Sequence, residues 1–248
     1  MTIDWGLLAA PFAAGLLVLA SHVPLGIAVL RRGIIFIDLA IAQVATLGVI
    51  AADLAGWEGA WATQGAAAAA ALGGALLLTW TERRWPDIQE ALIGLLFVTA
   101  AAGGILLLAN NPHGGEHLKD LLAGQILWVG WAQLGSLALL TAALLATWAM
   151  LGKRLGNLGF YAIFALAVTA SVQLVGVLLV FASLIAPAVA LRRQRRGRLP
   201  ASWLLGATGY ACGLALSGLF DLPAGAAVVC CLALASAVVL ALPFVGHG

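Results

Sequence analysis

Charged residues are scarce in this chain of 248 residues: they make up 9% of it, whereas hydrophobic residues make up 63%. Soluble domains carry about 25% charged residues, so this composition excludes a soluble globular domain. The mean hydropathy of +1.08 comes from apolar blocks of about 20 residues, the length that an α-helix needs to cross a hydrocarbon core. The blocks are continuous and do not alternate, which excludes a transmembrane β-barrel. The sequence therefore predicts an all-α polytopic membrane protein.

Residues and motifs that carry catalysis are also few. The three cysteines, Cys212, Cys230 and Cys231, indicate no disulfide framework. There is no GxxxxGK[ST] phosphate loop, so the chain does not bind ATP in that mode, and there is no His-Glu-x-x-His zinc-protease motif. Of the four histidines only His22 lies near an apolar block, and it has no evident serine partner. We therefore expect a protein that is not an enzyme.

The apolar blocks predict eight or nine transmembrane helices in a single domain over residues 1–248. They lie near residues 6–30, 34–52, 61–80, 88–108, 130–151, 158–171, 174–191, 200–219 and 223–243. No basic stretch precedes the first block, which is therefore interpreted as a permanent span and not as a signal peptide.

Some of these helices are expected to be broken or re-entrant. Residues 158–191 have basic clusters at both ends, so they must form two short passes that turn near Thr169–Gly176. Proline interrupts the apolar pattern in "VPLG" (Val23–Gly26) and "IAPA" (Ile185–Ala188), and we predict a broken helix at each. Irregular backbone at this depth is tolerated where protein or a water-filled cavity covers it.

Lysine and arginine are distributed asymmetrically between the connections. They cluster at Arg31–Arg32, Arg83–Arg84, Lys153–Arg154 and Arg192–Arg198, which alternate along the chain with acidic or polar connections. Of the twelve basic residues, Lys119 alone falls on the opposite side. Because Lys and Arg concentrate on the cytoplasmic side of membrane proteins, we predict an external N-terminus and a cytoplasmic C-terminus.

Asp38 and Gln43 stand out within "FIDLAIAQVATLG" (Phe36–Gly48), an otherwise apolar stretch. An ionisable residue inside a span costs about 2.5–3.5 kcal/mol and by default marks a functional site. Asp38 is therefore a candidate for lining a polar pathway, although it could instead cap or pair at the headgroup boundary, six residues after Arg32. Gln43 lies about 140° from Asp38 around a straight helix, so the two would not share a face.

A predicted outer loop, "NNPHGGEHLKD" (Asn110–Asp120), contains His113, Glu116 and His117. Imidazole and carboxylate groups are ligands that zinc accepts. These three residues are therefore a candidate site for capturing a divalent metal ion. The alternative is a solvated loop, since "NPHGG" is a turn sequence and exposed histidines are common.

Three stretches together resemble the membrane permeases of ABC importers for zinc, manganese and iron, over most of the chain. The stretches are "VPLGIAVLRRGIIFIDLAIAQVATLG" (Val23–Gly48), "VGVLLVFASLIAPAVALR" (Val175–Arg192) and "FDLPAGAAVVCCLAL" (Phe220–Leu234). The resemblance implies a second permease subunit, in a homodimer, with separate cytoplasmic ATPase subunits and an extracytoplasmic metal-binding protein. It also implies the bacterial inner membrane, a transported divalent metal that is most often zinc, no permanently bound cofactor and no nucleic-acid partner.

The chain departs from the family pattern in three ways. The histidine that relatives carry one turn after the aspartate is Ala42 here, which leaves Gln43 as the nearby candidate. The family's "GD" before the fifth long helix is Gly124-Gln125, and the connection that couples relatives to the ATPase is reduced to "LGKRLGNLG" (Leu151–Gly159). The shortened connection keeps one alternative open, an ATP-independent carrier or channel for a cation. A second alternative is a related permease for a chelated metal, whose chains resemble this one but are longer.

Overall fold

The computed structural model describes residues 5–57, 59–108, 126–194 and 196–242. Within these ranges the chain folds into α-helices with two short 3₁₀ turns and no β-strand. The helices are α1 (Trp5–Arg32), α2 (Ile37–Leu54), α3 (Ala60–Arg84), α4 (Gln89–Leu108), α5 (Trp131–Val175), α6 (Val177–Ala190), α7 (Arg198–Phe220) and α8 (Ala224–Ala241). The predicted all-α fold class is confirmed.

Two glycines break the long central part of the chain. Gly156 (φ 58°, ψ −156°) interrupts α5, and Gly176 (φ 85°, ψ 159°) separates α5 from α6. Both conformations are essentially restricted to glycine. The breaks produce the two passes that were predicted between residues 158 and 191, and the turn at Gly176 falls at the end of the predicted Thr169–Gly176 stretch.

The expected breaks at the two prolines are wrong. Pro24 lies inside the continuous helix α1, and Pro187 lies inside α6. Transmembrane helices tolerate proline because neighbouring groups satisfy the backbone that it frees. Separately from the proline, the last carbonyls of α6 accept hydrogen bonds from α7: Ser202 Oγ donates to Pro187 O (3.4 Å) and Arg198 Nη2 donates to Ala188 O (2.7 Å).

In the part of the chain that the structure describes, eight helical segments are long and apolar enough to cross a membrane. They include both parts of α5, Trp131–Leu151 and Gly156–Val175, whereas α6 has 14 residues and is shorter than a full span. At a rise of about 1.5 Å per residue, α6 covers about 21 Å of a core about 30 Å thick. Of the two short passes that were predicted between residues 158 and 191, α6 is short, whereas Gly156–Val175 is long enough for a full span.

The helices pack in two groups that share one hydrophobic core. α2 lies between α3 and α4 and also touches α5, whereas α1 packs against α5, α6 and α7. Tyr161 and Phe164, in the second part of α5, are among the largest side chains that are fully buried in the core. The second part of α5 therefore lies in the interior of the bundle.

The connections that carry most of the arginines meet at one end of the bundle, here called the basic end. Arg32 Nη1 donates to Asn157 Oδ1 (3.0 Å), and Asn157 Nδ2 donates to Glu82 Oε2 (2.8 Å). The Arg32 guanidinium also lies over the Phe160 ring, 4.1 Å from its centroid. These contacts join the ends of α1 and α3 to the break in α5, as the charge pattern predicted.

Candidate functional site

Asp38 lies in the first turn of α2, near the basic end, and only 1% of its surface is exposed. Neither of its carboxylate oxygens has a hydrogen-bond partner among the described residues. A buried ionised carboxylate without a partner is strongly unfavourable, so the group needs a proton or a cation. Among the described residues, Asp38 neither caps a helix end nor pairs with a basic side chain, which argues against the headgroup-boundary alternative.

Gln43 is also buried, with 7% of its surface exposed, but it faces a different direction from Asp38. α2 is helical from Ile37 to Leu54, so each residue is rotated by about 100° around the helix axis from the one before it. Leu47 contacts the glycine pair Gly103–Gly104 of α4. Gln43 lies about 40° from Leu47, and Asp38 lies about 180° from it. The structure does not bring the two candidates together on one face.

The face of α2 that carries Asp38 is turned away from α4. Ile41 and Val44 contact Gly74 and so define the direction of α3. Asp38 is about 60° from Ile41 around the helix, on the side opposite α4. α2 also touches α5 and α6, which must contact the side that α3 and α4 do not cover. Asp38 is therefore buried inside the subunit and not on its outer surface.

His22 is another buried polar residue within a span, and it was not among the predicted binding residues. Its Nδ1 is 3.0 Å from Val18 O and 3.0 Å from Ser21 Oγ, while its Nε2 is buried without a partner among the described residues. Donation from Nδ1 to the Val18 carbonyl leaves the Nε2 lone pair free. The sequence signal was a Ser-His pair inside an apolar block. Ser21 Oγ donates to the Val18 carbonyl of its own helix, so no catalytic triad is formed.

Further polar atoms without partners lie in the second part of α5. Thr169 Oγ1 and Gln173 Nε2 are buried and unpaired among the described residues. By contrast, Ser183 in α6 and Tyr210 in α7 satisfy each other, with 2.9 Å between their hydroxyl oxygens. Within the described ranges, no three His, Cys, Asp or Glu side chains are grouped to hold a metal ion. His113, Glu116 and His117 lie outside the described residues.

The sequence profile of the ABC 3 transport family matches residues 5–160 and 146–243. The chain belongs to this family. It is accordingly the transmembrane permease of a metal-type ABC importer, and ATP hydrolysis takes place in a separate subunit. This assignment agrees with the eight candidate spans and overturns the ATP-independent alternative. No curated protein matches the chain by sequence.

Solved structures share the fold of this permease at low sequence identity. PsaBC from Streptococcus pneumoniae in complex with Fab has a TM-score of 0.77 and 20% identity, and the match covers 98% of this chain and 93% of that one. A "putative metal-chelate type ABC transporter" in an inward-facing conformation has a TM-score of 0.65 and 17% identity, and the match covers 93% of this chain and 84% of that one. At these identities the likeness establishes the fold alone.

Proposed function

We propose that this ABC 3 permease moves a free divalent metal ion into the cytoplasm, with zinc preferred over manganese and iron. Asp38 would line the translocation pathway and meet the ion. The observation that carries this proposal is the Asp38 carboxylate, which is buried in a membrane span with no partner for either oxygen among the described residues. A passing cation would supply the missing charge.

The assignment of zinc rests on ligand chemistry. Carboxylate and imidazole groups suit zinc, whereas oxygen-only sites suit manganese. The outer-loop residues His113, Glu116 and His117 would supply both groups at the entrance, whereas Gln43 lies on a different face of α2 from Asp38 and is not part of this proposal. The match to the ABC 3 transport family supports a metal cargo without distinguishing a free ion from a chelate.

The proposal includes the partners and the orientation of the chain. The permease would work as one transmembrane domain over residues 1–248, paired with a second copy of itself in a bacterial inner membrane. Two ATPase subunits would bind at the basic end and a metal-binding protein on the other side, with the N-terminus outside and the C-terminus in the cytoplasm. Support comes from the meeting of α1, α3 and α5 at the basic end through Arg32, Asn157 and Glu82.

The test is zinc uptake by the assembled transporter in proteoliposomes that contain ATP. Asp38→Asn keeps the size of the side chain but removes its charge, and we expect it to reduce zinc uptake at least tenfold, a loss of about 1.4 kcal/mol or more in ion stabilisation. Asp53→Asn is the matched control, because Asp53 lies near the other end of the same helix and is exposed. It should leave uptake unchanged.

Assembly is measured in parallel by co-purification of the ATPase subunits. Normal zinc uptake by Asp38→Asn, in a complex that contains its ATPase, would show that Asp38 does not meet the ion. Uptake of manganese, iron and a zinc chelate under the same conditions tests the cargo. Faster uptake of the chelate than of free zinc would replace the free-ion assignment with the chelate alternative.

A further inference from the structure

A groove of about 380 Å³ opens at the basic end between α1 and the start of α7, and Asp38 is not among the residues that line it. It is lined by Pro24, Ile27, Arg31, Gly197, Arg198, Leu199 and Pro200. Two guanidinium groups thus share one groove, and no acidic residue is among the described residues that line it. Two cations that share a groove without a counter-ion repel each other, so an anion bound between them would be stabilised.

Arg198 is held in place but has hydrogen-bonding capacity left. Its Nη2 donates to the Ala188 carbonyl at the end of α6 (2.7 Å), which fixes one side of the guanidinium. Its Nε is buried and has no partner among the described residues. Arg31 lies opposite on α1 and is exposed. Because the buried Nε cannot reach a ligand in the groove, a phosphate would be bound through the other N–H groups of this fixed guanidinium.

The groove has an apolar part that extends toward the middle of the membrane. Pro24 lies seven residues before Arg31 on the continuous helix α1, a distance of about 10 Å along the axis. Pro24 and Ile27, both half-buried, form this part, and Leu199 and Pro200 close it from α7. The groove is therefore cationic at the level of the headgroups and apolar toward the hydrocarbon core.

We propose that this groove binds an anionic phospholipid, with the phosphate between Arg31 and Arg198 and an acyl chain along Pro24 and Ile27. Basic pockets between transmembrane helices are known sites for anionic headgroups. An acidic side chain of the ATPase would account for the arginines but not for an apolar groove that reaches about 10 Å toward the hydrocarbon core. The nearby exposed Arg192, Arg193 and Arg196 would raise the local concentration of anionic lipid.

The test is native mass spectrometry of the full-length chain, released from nanodiscs that contain phosphatidylglycerol or phosphatidylcholine. Arg31→Gln should reduce retained phosphatidylglycerol about fivefold, because it removes one of the two guanidinium groups that hydrogen-bond the phosphate. Ile27→Trp should reduce it as well, because it fills the apolar part without changing charge. The matched control is Arg83→Gln at the end of α3, an exposed arginine outside the groove, which should retain lipid as the wild type does.

Three results would overturn the proposal. Equal retention of phosphatidylcholine and phosphatidylglycerol would remove the anionic specificity. Displacement by millimolar inorganic phosphate, together with normal binding to Ile27→Trp, would identify a free-anion site. Loss of ATPase co-purification in Arg31→Gln, with unchanged lipid retention, would assign the arginines to the partner protein. Size-exclusion elution at the wild-type volume confirms that each variant is folded.

Discussion

Replacing Gly26 with alanine tests a close approach between α1 and α6. Gly26 lies in α1, within the "VPLG" motif, and a Cβ atom at this position would overlap the backbone carbonyl oxygen of Leu184 in α6. It would also lie 3.4 Å from the Ala188 Cβ. The nearest atom belongs to the backbone, so no change of side-chain rotamer can relieve the overlap. α1 and α6 would have to move apart.

The expected magnitude follows from two opposing contributions. Overpacking of a core costs about 1–3 kcal/mol, and a clash with backbone belongs at the upper end of this range. Alanine has a higher intrinsic helix propensity than glycine by about 1 kcal/mol, which offsets part of the cost. We therefore expect Gly26→Ala to lower the free energy of unfolding by about 2 kcal/mol.

The matched control is Gly73→Ala in α3. Gly73 is helical and exposed, and a Cβ atom there has no neighbour within 4 Å among the described residues, so the substitution should be neutral or stabilising by up to about 1 kcal/mol. Both variants are compared with the wild type by denaturant titration in detergent, monitored by the fluorescence of the nine tryptophans. Equal stability of the two variants would refute the close approach of α1 and α6.

Two further substitutions test other parts of the same core. Gly176 has φ 85° and ψ 159°, a backbone conformation essentially restricted to glycine. Gly176→Ala should therefore lower the free energy of unfolding by about 1–3 kcal/mol in the same titration. A neutral effect would mean that the turn between α5 and α6 has a different backbone conformation. Tyr210→Phe removes the contact between the Tyr210 and Ser183 hydroxyls (2.9 Å) and should cost about 1 kcal/mol. Ser183 still donates to the Leu179 carbonyl, so a loss far above this value would show that the tyrosine hydroxyl has another role.

Hydropathy and charge were sufficient to predict the arrangement of spans. All nine predicted apolar segments coincide with helical segments, and the two parts of α5 meet the boundaries expected for 130–151 and 158–171 to within a few residues. This part is predictable because crossing a hydrocarbon core fixes both the length and the polarity of a helix. The grouping of the basic connections at one end follows from the same constraint.

The positions of the helix breaks were harder to predict, because they depend on neighbours that sequence does not reveal. Pro24 and Pro187 looked like interruptions, yet both lie inside continuous helices. Gly156, which does break α5, is one of 30 glycines and has no local pattern that distinguishes it. Gly26 acts through the space that it leaves for α6, a property visible only after the helices are packed.

The candidate site was predicted only in part, for a related reason. Asp38 was found from the sequence because one charge in an apolar block is conspicuous. That it is buried inside the subunit, about 180° from the face of α2 that contacts α4, required the packing of Leu47 on Gly103 and Gly104. The free Nε2 of His22 likewise emerged only from its local hydrogen bonds.

The sparse donor set around Asp38 fits a transport role better than a storage role. A site that holds a metal ion permanently uses three or four protein ligands, and no such group of side chains occurs among the described residues. A translocation pathway has the opposite requirement, because binding must be strong enough for the ion to enter and weak enough for it to leave. One buried carboxylate without partners, on a helix where Ala42 occupies the position of the family's histidine, would attract a divalent cation without trapping it. Restoring the histidine by Ala42→His should therefore tighten zinc binding while slowing its release, which a slower turnover at saturating zinc would reveal.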